Sequence, residues 1–591
     1  MKTAFLLTAR LKSTRLPEKA LRPICGRSVL GHTIDRVRRA SRVDEIVVCT
    51  STDAQDDRLA DVCAREGVRC FRGEPDDVVK RLRDAARASG ADYVTHITGD
   101  CPLVDPDYID RTVEAYERTG ADLIRGFALP HGAFSYGIKP AALDRVVEIK
   151  ADANTEVWGR YFTDTDLFDV VDLDVEPRHR RPEVRLTLDY PEDLAVLEAI
   201  FGALYAPGRA FALDDVLRFL DAHPDVAALN RACADRYRRR WSKQGAIALK
   251  PRYDVRRAVV IGCGSIGQRH ARNLRAMGVD VVALRGRPGH TRTLPADLGV
   301  LEVDGWDALA AAKPDVAIVS NPTSLHLETA RRLVPIVRGL FIEKPLAATL
   351  DGVCALVDEI RARRVVSFVG HVLAFHPAVA AIRARLQDGA IGEPLAFQCR
   401  VGQYLPDWHP DEDYRRAYFS RADLGGGVVR SLIHELDLAI ALLGSPMQVA
   451  ASMRRAPELD VDVEAVADLL VRHDGGAASA VHLDYLQRPL ERAGAVVGAA
   501  GTLSYDLVAS AASERSAAHP DGVDLWRDRS FDWNRAFVDE MSTFVRFVRE
   551  GRVRHDHDAS HAAASVALAD AAFQSAATGC FAAVAPFGET T

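Results

Sequence analysis

Residues 259–270, VVIGCGSIGQRH, limit the possible folds of this chain more than any other stretch. The apolar run 257–261 predicts a strand, and it feeds directly into Gly262-x-Gly264-x-x-Gly267. The alternation over 268–277 then predicts a helix. In that setting each glycine has a mechanical meaning. Gly262 permits a tight turn, Gly264 lets backbone approach a pyrophosphate, and Gly267 lets helix and strand pack closely. The helix start, with Ser265 and Ile266, offers free N–H groups and partial positive charge to phosphates. A dinucleotide site is expected here. Such a fingerprint opens a domain, yet this one begins in mid-chain, so another domain precedes it.

A chain of 591 residues exceeds what one core supports, and length alone predicts three or four domains. The formal net charge of −7 argues against nucleic acid as the main partner. Ten cysteines are scattered singly with no Cys-x-x-Cys pair, which fits reduced cytosolic thiols better than a disulfide or zinc framework. The opening MKTAFLLTARLKSTR has too short an apolar run for a signal peptide and reads as a buried strand. No stretch approaches about 18 uninterrupted apolar residues, so no membrane span is expected and a cytoplasmic location is.

Upstream of the fingerprint, strand 3–8 leads into Ala9-Arg10-Leu11-Lys12-Ser13-Thr14-Arg15-Leu16-Pro17-Glu18-Lys19, a basic loop suited to an anion. Strands at 45–50, 68–71 and 93–97 alternate with helices at 56–66 and 77–88, which predicts a parallel sheet with helices on both faces. Strand 93–97 ends in Thr98-Gly99-Asp100-Cys101-Pro102, where α/β folds place ligand chemistry. The run 185–193, RLTLDYPED, puts Asp189 at the end of another expected short strand.

These motifs, with GEPDDVVKR at 73–81 and ITGDCPLVDP at 97–106, resemble the sugar cytidylyltransferase family, of the spore-coat polysaccharide and CMP-ketodeoxyoctonate or acylneuraminate type. The resemblance spans about 200 residues in the right order. It implies that Ala9, Arg10, Ser13, Arg15, Lys19, Gly99 and Asp100 hold CTP, with Arg10 and Lys19 acting on the transferred phosphate. It further implies that Asp100 and Asp189 hold Mg²⁺, a hard cation suited to carboxylate and phosphate oxygens. Where that branch has Glu-His-Val-Thr-Pro, residues 155–161 read TEVWGRY, so the acceptor side differs; Glu156 and Arg160 either face the acceptor or pair structurally.

Residues 236–257 are strongly basic, with Asp254 the only acid, and read as a helix end and linker without the aromatic pattern of a nucleic-acid surface. Beyond them, strand 280–284 ends at Arg285-Gly286-Arg287 rather than at an acid, which favours NADP slightly over NAD. There follow Asn321-Pro322-Thr323-Ser324-Leu325-His326, Glu343-Lys344-Pro345, Gly370-His371 and, on an expected helix, His434 with Asp437 three residues on. This order resembles the glucose-fructose oxidoreductase/inositol dehydrogenase family over nearly all of 256–591. The resemblance implies a cofactor site of Gly262, Gly264, Ser265, Ile266, Gly267, Arg285, Asn321, Pro322, His326, Glu343 and Lys344. It makes Lys344 the group that polarises the reacting carbonyl or hydroxyl, and His434 the general acid/base titrating near neutrality. Asp437 would orient His434 or bind substrate. Two departures, Ala374 and Arg430-Ser431-Leu432, alter the substrate contacts.

The expected fold class is α/β: a Rossmann-like nucleotidyltransferase domain at 1–245, a linker at 246–255, an NAD(P)-binding Rossmann domain at 256–372, and an α+β domain with an open antiparallel sheet at 373–591. The expected activity is a Mg²⁺-assisted, CTP-dependent cytidylyltransferase fused to an NAD(P)-dependent sugar oxidoreductase, assembling as a homo-oligomer through the C-terminal sheet. An alternative keeps one half catalytic and makes the other a binding or oligomerisation module.

Overall fold

The computed structural model describes all residues except 13–15, 156–157, 166, 235, 238–246, 285–293, 296–297, 409–411 and 588–591. The chain forms two compact units, Met1–Lys250 and Pro251–Thr591.

The first unit is built on a seven-stranded sheet among its described residues. Its central strand, Thr3–Thr8, is buried along its whole length, as expected of an apolar run with helices on both faces. Glu45–Ser51 pairs parallel on one side of it and Tyr93–Thr98 on the other. The chain therefore reverses its direction of winding between Thr3–Thr8 and Tyr93–Thr98. The loops leaving Thr8 and Thr98, paired residues at the carboxyl edge, flank one crevice.

Two expectations need correction. The sheet is mixed, because Tyr136–Ile138 runs antiparallel to both Tyr93–Thr98 and Leu123–Arg125. Ten residues without a helix join Leu123–Arg125 to Tyr136–Ile138, too little for a parallel crossover. Nor is 185–188 a strand. Arg185 makes only an isolated bridge to His131, and Leu188 N donates to Asp100 O at 2.9 Å. The Arg185 side chain turns inward onto carboxylates, and Pro191 starts the helix Pro191–Leu204. Ile247 and Leu249, in the expected linker, are buried with the apolar core of this unit.

The second unit begins with a six-stranded, all-parallel sheet in the order Leu301–Val303, Asp280–Leu284, Arg257–Ile261, Val316–Val319, Gly339–Glu343, Val366–Gly370. Its switch point lies between Arg257–Ile261 and Val316–Val319, so the fingerprint loop faces Ser320 and Asn321. A nine-stranded sheet follows, antiparallel except where Pro394–Gly402 pairs with Ala478–Asp484. Val466–His473 alternates buried and exposed residues, the pattern of a sheet covered on one face. The helix Ala559–Thr578 packs back onto both layers. Ala562, Ala563 and Val566 enter the parallel-sheet core, and Ser575 Oγ accepts from Ala451 N at 2.9 Å. Among the described residues, no helix is long and apolar enough to cross a membrane.

Candidate functional sites

In the first unit three residues far apart in sequence converge at the carboxyl edge. The Lys19 ammonium contacts Asp100 Oδ2 and lies 2.8 Å from Asp189 Oδ1. Burial works against that charge, but Asp100 and Asp189 outweigh it and hold Lys19 up at about 12. Arg185 supports the pair from below: Nη2 donates to Asp189 Oδ2 at 2.7 Å and Nε to Asp193 Oδ1 at 2.9 Å. Asp193 Oδ2 in turn accepts from the backbone N–H groups of Asp189 and Tyr190 at 2.9 and 3.0 Å. Sequence reading missed Arg185 and Asp193; the signal was an Arg four residues before Asp189, and an Asp in the first turn after Pro191. Gly99 packs against Ala9, with room for a Cβ only 3.3 Å from the alanine methyl and 3.0 Å from Leu30. Arg10 Nη1 donates to Pro75 O and lies 3.6 Å from Asp76 Oδ1. Arg160 pairs with Asp164 at 2.6 Å. Ser13, Arg15 and Glu156 lie outside the described residues.

Two carboxylates fit a Mg²⁺ that completes its shell with phosphate and water. The point between them is held by the Lys19 ammonium, and no group of three metal-ligating side chains occurs among the described residues.

In the second unit, Gly262 has φ of 90° and a Cβ there would lie 2.4 Å from Asn321 N. A Cβ on Gly267 would lie 2.0 Å from Gly262 O. At Gly264, by contrast, nothing stands within 4 Å. Gly264 caps the helix Ser265–Ala276, whose first turn carries no acid. An open, unfilled space over the N-terminus of a helix is what a pyrophosphate needs. Asn321 faces the same crevice with a buried Oδ1 that has no hydrogen-bond partner, while its Nδ2 donates to Thr329. Pro322 and His326 shape the loop: the two ring nitrogens of His326 lie 2.8 Å from the carbonyls of Pro345 and Asn321. The His326 ring thereby ties the two loops together. Arg285 lies outside the described residues.

Glu343 and Lys344 stand at the carboxyl end of Gly339–Glu343. Burial tends to raise the Glu343 carboxyl, but His270 Nε2, 2.6 Å away, outweighs it and holds Glu343 below the usual range. Lys344 Nζ donates to Ser431 O at 2.6 Å. Burial pulls Lys344 down to about 8, against the opposing pull of Glu343. His434 begins the helix His434–Leu443 and stacks edge-on to His371 with ring centroids 5.7 Å apart. Contrary to the expectation of a group titrating near neutrality, His434 is pushed well below it, by burial first and then by Lys344, Arg492 and His371. Arg492 is itself locked to the buried Glu435 at 2.7 and 3.0 Å. Asp437 does not reach for His434; its Oδ2 lies 3.5 Å from His371 Nδ1.

Both ring nitrogens of His371 and Nδ1 of His434 are buried without hydrogen-bond partners. Unpaired buried polar atoms are costly, so the two with no polar partner at all, His371 Nε2 and His434 Nδ1, mark a place beside Lys344 for polar groups of a ligand. Below this cluster Glu540, on the helix Asn534–Glu550, is fully buried with both carboxyl oxygens unpaired. Burial and then Glu343 push its carboxyl well up, so it stays neutral.

Two switch-point crevices, one with a lysine between carboxylates and one with a glycine fingerprint and a lysine–imidazole cluster, define a nucleotidyltransferase-type unit followed by a dinucleotide-binding oxidoreductase unit. The chain belongs to the cytidylyltransferase family through residues 4–200, while residues 256–371 match the model of the oxidoreductase family, NAD-binding Rossmann fold, and residues 379–504 that of the GFO/IDH/MocA C-terminal domain. It is 30% identical over 235 residues to the spore coat polysaccharide biosynthesis protein SpsF of Bacillus subtilis, across 39% of this chain and 98% of that protein. It is 24% identical over 329 residues to an inositol 2-dehydrogenase of Rubrobacter xylanophilus, across 54% of this chain and 90% of that protein. The solved structure of a levoglucosan dehydrogenase in complex with NADH shares the fold, with a TM-score of 0.50 at 20% identity over 56% of this chain and all of that one.

Proposed function

We propose that the chain activates a sugar in two steps, one per unit. The first unit transfers a cytidylyl group from CTP to a sugar acid, sugar phosphate or alditol phosphate. The second oxidises or reduces a hydroxyl or carbonyl of a related sugar with NAD(P). The observation that carries the reading is common to both: each unit holds a lysine in an ionised or imidazole-rich cluster at the carboxyl edge of its sheet, beside the switch point.

In the first unit an acceptor oxygen attacks the α-phosphorus of CTP, the bond to the bridging oxygen breaks, and pyrophosphate leaves. Lys19 and Arg10 offset negative charge on the phosphate oxygens as the bond changes. Asp100 and Asp189 would hold Mg²⁺, which supplies further positive charge there. Without nucleotide the Lys19 ammonium keeps those two carboxylates from repelling each other. Arg185 fixes Asp189 so that it needs little reorganisation on binding.

In the second unit Gly264 and Asn321 would hold the dinucleotide, which would supply the hydride acceptor or donor when bound. Neutral His434 takes the proton of the reacting hydroxyl on a ring nitrogen, or returns it in the reverse direction. Lys344 donates a hydrogen bond to that oxygen, and His371, backed by Asp437, holds a neighbouring hydroxyl. Arg285 and Arg287 favour NADP over NAD. The uncovered face of the nine-stranded sheet, where Leu470 and Val497 are exposed, serves self-association.

The test is pyrophosphate release from CTP and Mg²⁺ against a panel of 3-deoxy-ulosonic acids, sugar phosphates and alditol phosphates, with products identified by mass. Hydride transfer is followed separately with each dinucleotide. A CMP-sugar or CDP-alditol product together with oxidation of a related sugar supports the two-step reading. Turnover in one unit alone, with Asp100→Asn or His434→Asn silent in the other assay, would leave that other unit a binding or oligomerisation module.

A further inference from the structure

The first unit has a second crevice, none of whose lining residues belongs to the Lys19 cluster. It is a cavity of about 250 Å³ between the helix Val29–Val37 and the segment joining Pro191–Leu204 to Leu213–Ala222. Its walls combine three arginines, Arg36, Arg39 and Arg209, with His32, one carboxylate, Asp35, and the rings of Phe201, Tyr205 and Phe211.

Arg36 is the unusual member. It is only 5% exposed, and its Nη2 is buried without a hydrogen-bond partner. Its guanidinium lies 4.3 Å from the centre of the Phe211 ring, which gives it a face to rest on but no countercharge. Among the described residues no carboxylate forms an ion pair with Arg36, Arg39 or Arg209; Arg39 reaches only Phe211 O, at 3.4 Å. Acids nearby are engaged elsewhere. Asp35 pairs with Arg27 at 2.6 Å and Arg38 at 3.3 Å. Asp105 accepts from the backbone of Asp107 and Tyr108, and Asp215 from Ala212 N and Arg218. Burial pulls Arg36 down to about 10, with Arg39 adding to the fall against Asp105 and Asp215. A buried guanidinium with an idle N–H and two cationic neighbours is costly unless an anion completes it. Arginine's fork suits phosphate oxygens, and a crevice of this volume takes a small ligand. Gly208, at φ of 76°, makes the turn whose Ala206–Arg209 bridge sets Arg209 on the rim.

We propose that this crevice binds a phosphorylated small molecule no larger than a mononucleotide, its phosphate on Arg36, Arg39 and Arg209 and its organic part against Phe201 and Tyr205. The site is separate from the one assigned to CTP and does not depend on the reading of that site.

The experiment is calorimetric titration of the full-length chain carrying Lys19→Met, so that the Lys19 cluster contributes little. The probes are inorganic phosphate, a hexose phosphate and cytidine monophosphate. The expected result is saturable binding of at least one phosphate ester more tightly than of inorganic phosphate. Adding Arg39→Ala and Arg209→Ala, both exposed and safe for folding, should weaken it at least tenfold, and Tyr205→Ala should erase the preference for the ester. No saturable heat, or binding indifferent to the arginine substitutions, would overturn the proposal. Equal affinity for all three probes would overturn its organic half and leave a bare anion site.

Discussion

Lys344 should set the pH dependence of hydride transfer. Burial lowers its ammonium from 10.5 to about 8, with Glu343 opposing and Arg492 reinforcing the fall. That difference corresponds to roughly 3 kcal/mol of lost preference for the charged form. The side chain is only partly exposed, and the figure is an upper bound because water screens what it reaches. At pH 7 about one Lys344 in ten is then neutral, roughly 300-fold more than for an exposed lysine. His434 is neutral throughout this range, held down by burial and by the Lys344 charge beside it. While Lys344 keeps its proton, an imidazolium next to it is costly, and His434 is a poor base. Once Lys344 loses the proton, His434 accepts the hydroxyl proton more readily.

The expected outcome is that kcat/KM for alcohol oxidation rises with pH through about 8 and then levels, while carbonyl reduction falls over the same interval. Dinucleotide absorbance across the pH range measures both. In Lys344→Arg the positive charge persists over the whole range, so the step should vanish and oxidation should stay at or below its low-pH level. A step near 6.5, the usual imidazole range, that survives Lys344→Arg and disappears in His434→Asn would refute the reasoning, because His434 would then titrate as an ordinary histidine.

Further outcomes follow from the same geometry. Lys19→Met leaves Asp100 and Asp189 without the cation between them. Cytidylyl transfer should fall about 10²–10³-fold with hydride transfer intact, and melting should show lower stability at pH 7 that recovers in acid as one carboxyl takes a proton. Gly264→Ala meets open space and should melt like the parent, yet weaken dinucleotide binding at least tenfold in a fluorescence titration. Gly262→Ala forces φ of 90° and a 2.4 Å contact on a Cβ, so it should cost about 1–3 kcal/mol in denaturant unfolding as well. Glu540 keeps its proton when folded and loses it when unfolded, so the native state holds more protons above the ordinary carboxyl range and loses stability as pH rises there. Glu540→Gln should therefore be the more stable protein at pH 7, by about 1–3 kcal/mol, with the gap closing below about pH 4.5; a constant gap would mean that Glu540 is ionised in the fold.

The fingerprint at Gly262, Gly264 and Gly267 was legible because each glycine answers a local demand: a turn, an open approach, a close helix–strand contact. The strands around it were legible for the same reason, since an apolar run of fixed length between a turn and a helix has few other uses. Lys19, Asp100 and Asp189 were not legible from spacing, being 81 and 89 residues apart in sequence; only the family resemblance joined them. RLTLDYPED misled because alternation there serves no sheet. Its Leu186 and Leu188 are buried in a core while Arg185 turns inward to Asp189 and Asp193.

The candidate oxidoreductase site shows the same division more sharply. A histidine on a helix suggests a group that titrates near neutrality, but its charge is decided by what surrounds it, and Lys344, His371 and Arg492 reach His434 from three other elements. His371 was noted only within the pair Gly370-His371 and given no role, although its place at the carboxyl end of Val366–Gly370 is a reason to suspect one. Glu540 and Arg36 carry no motif at all. Each is an ionisable side chain on an amphipathic helix, indistinguishable in sequence from the solvated charges beside it, until packing removes water from one and leaves its neighbours wet. Burial, a property of the whole fold, turns an ordinary charge into one that must be neutralised, paired or used. The chemistry most worth testing in this chain therefore lies where the fold strands a charge.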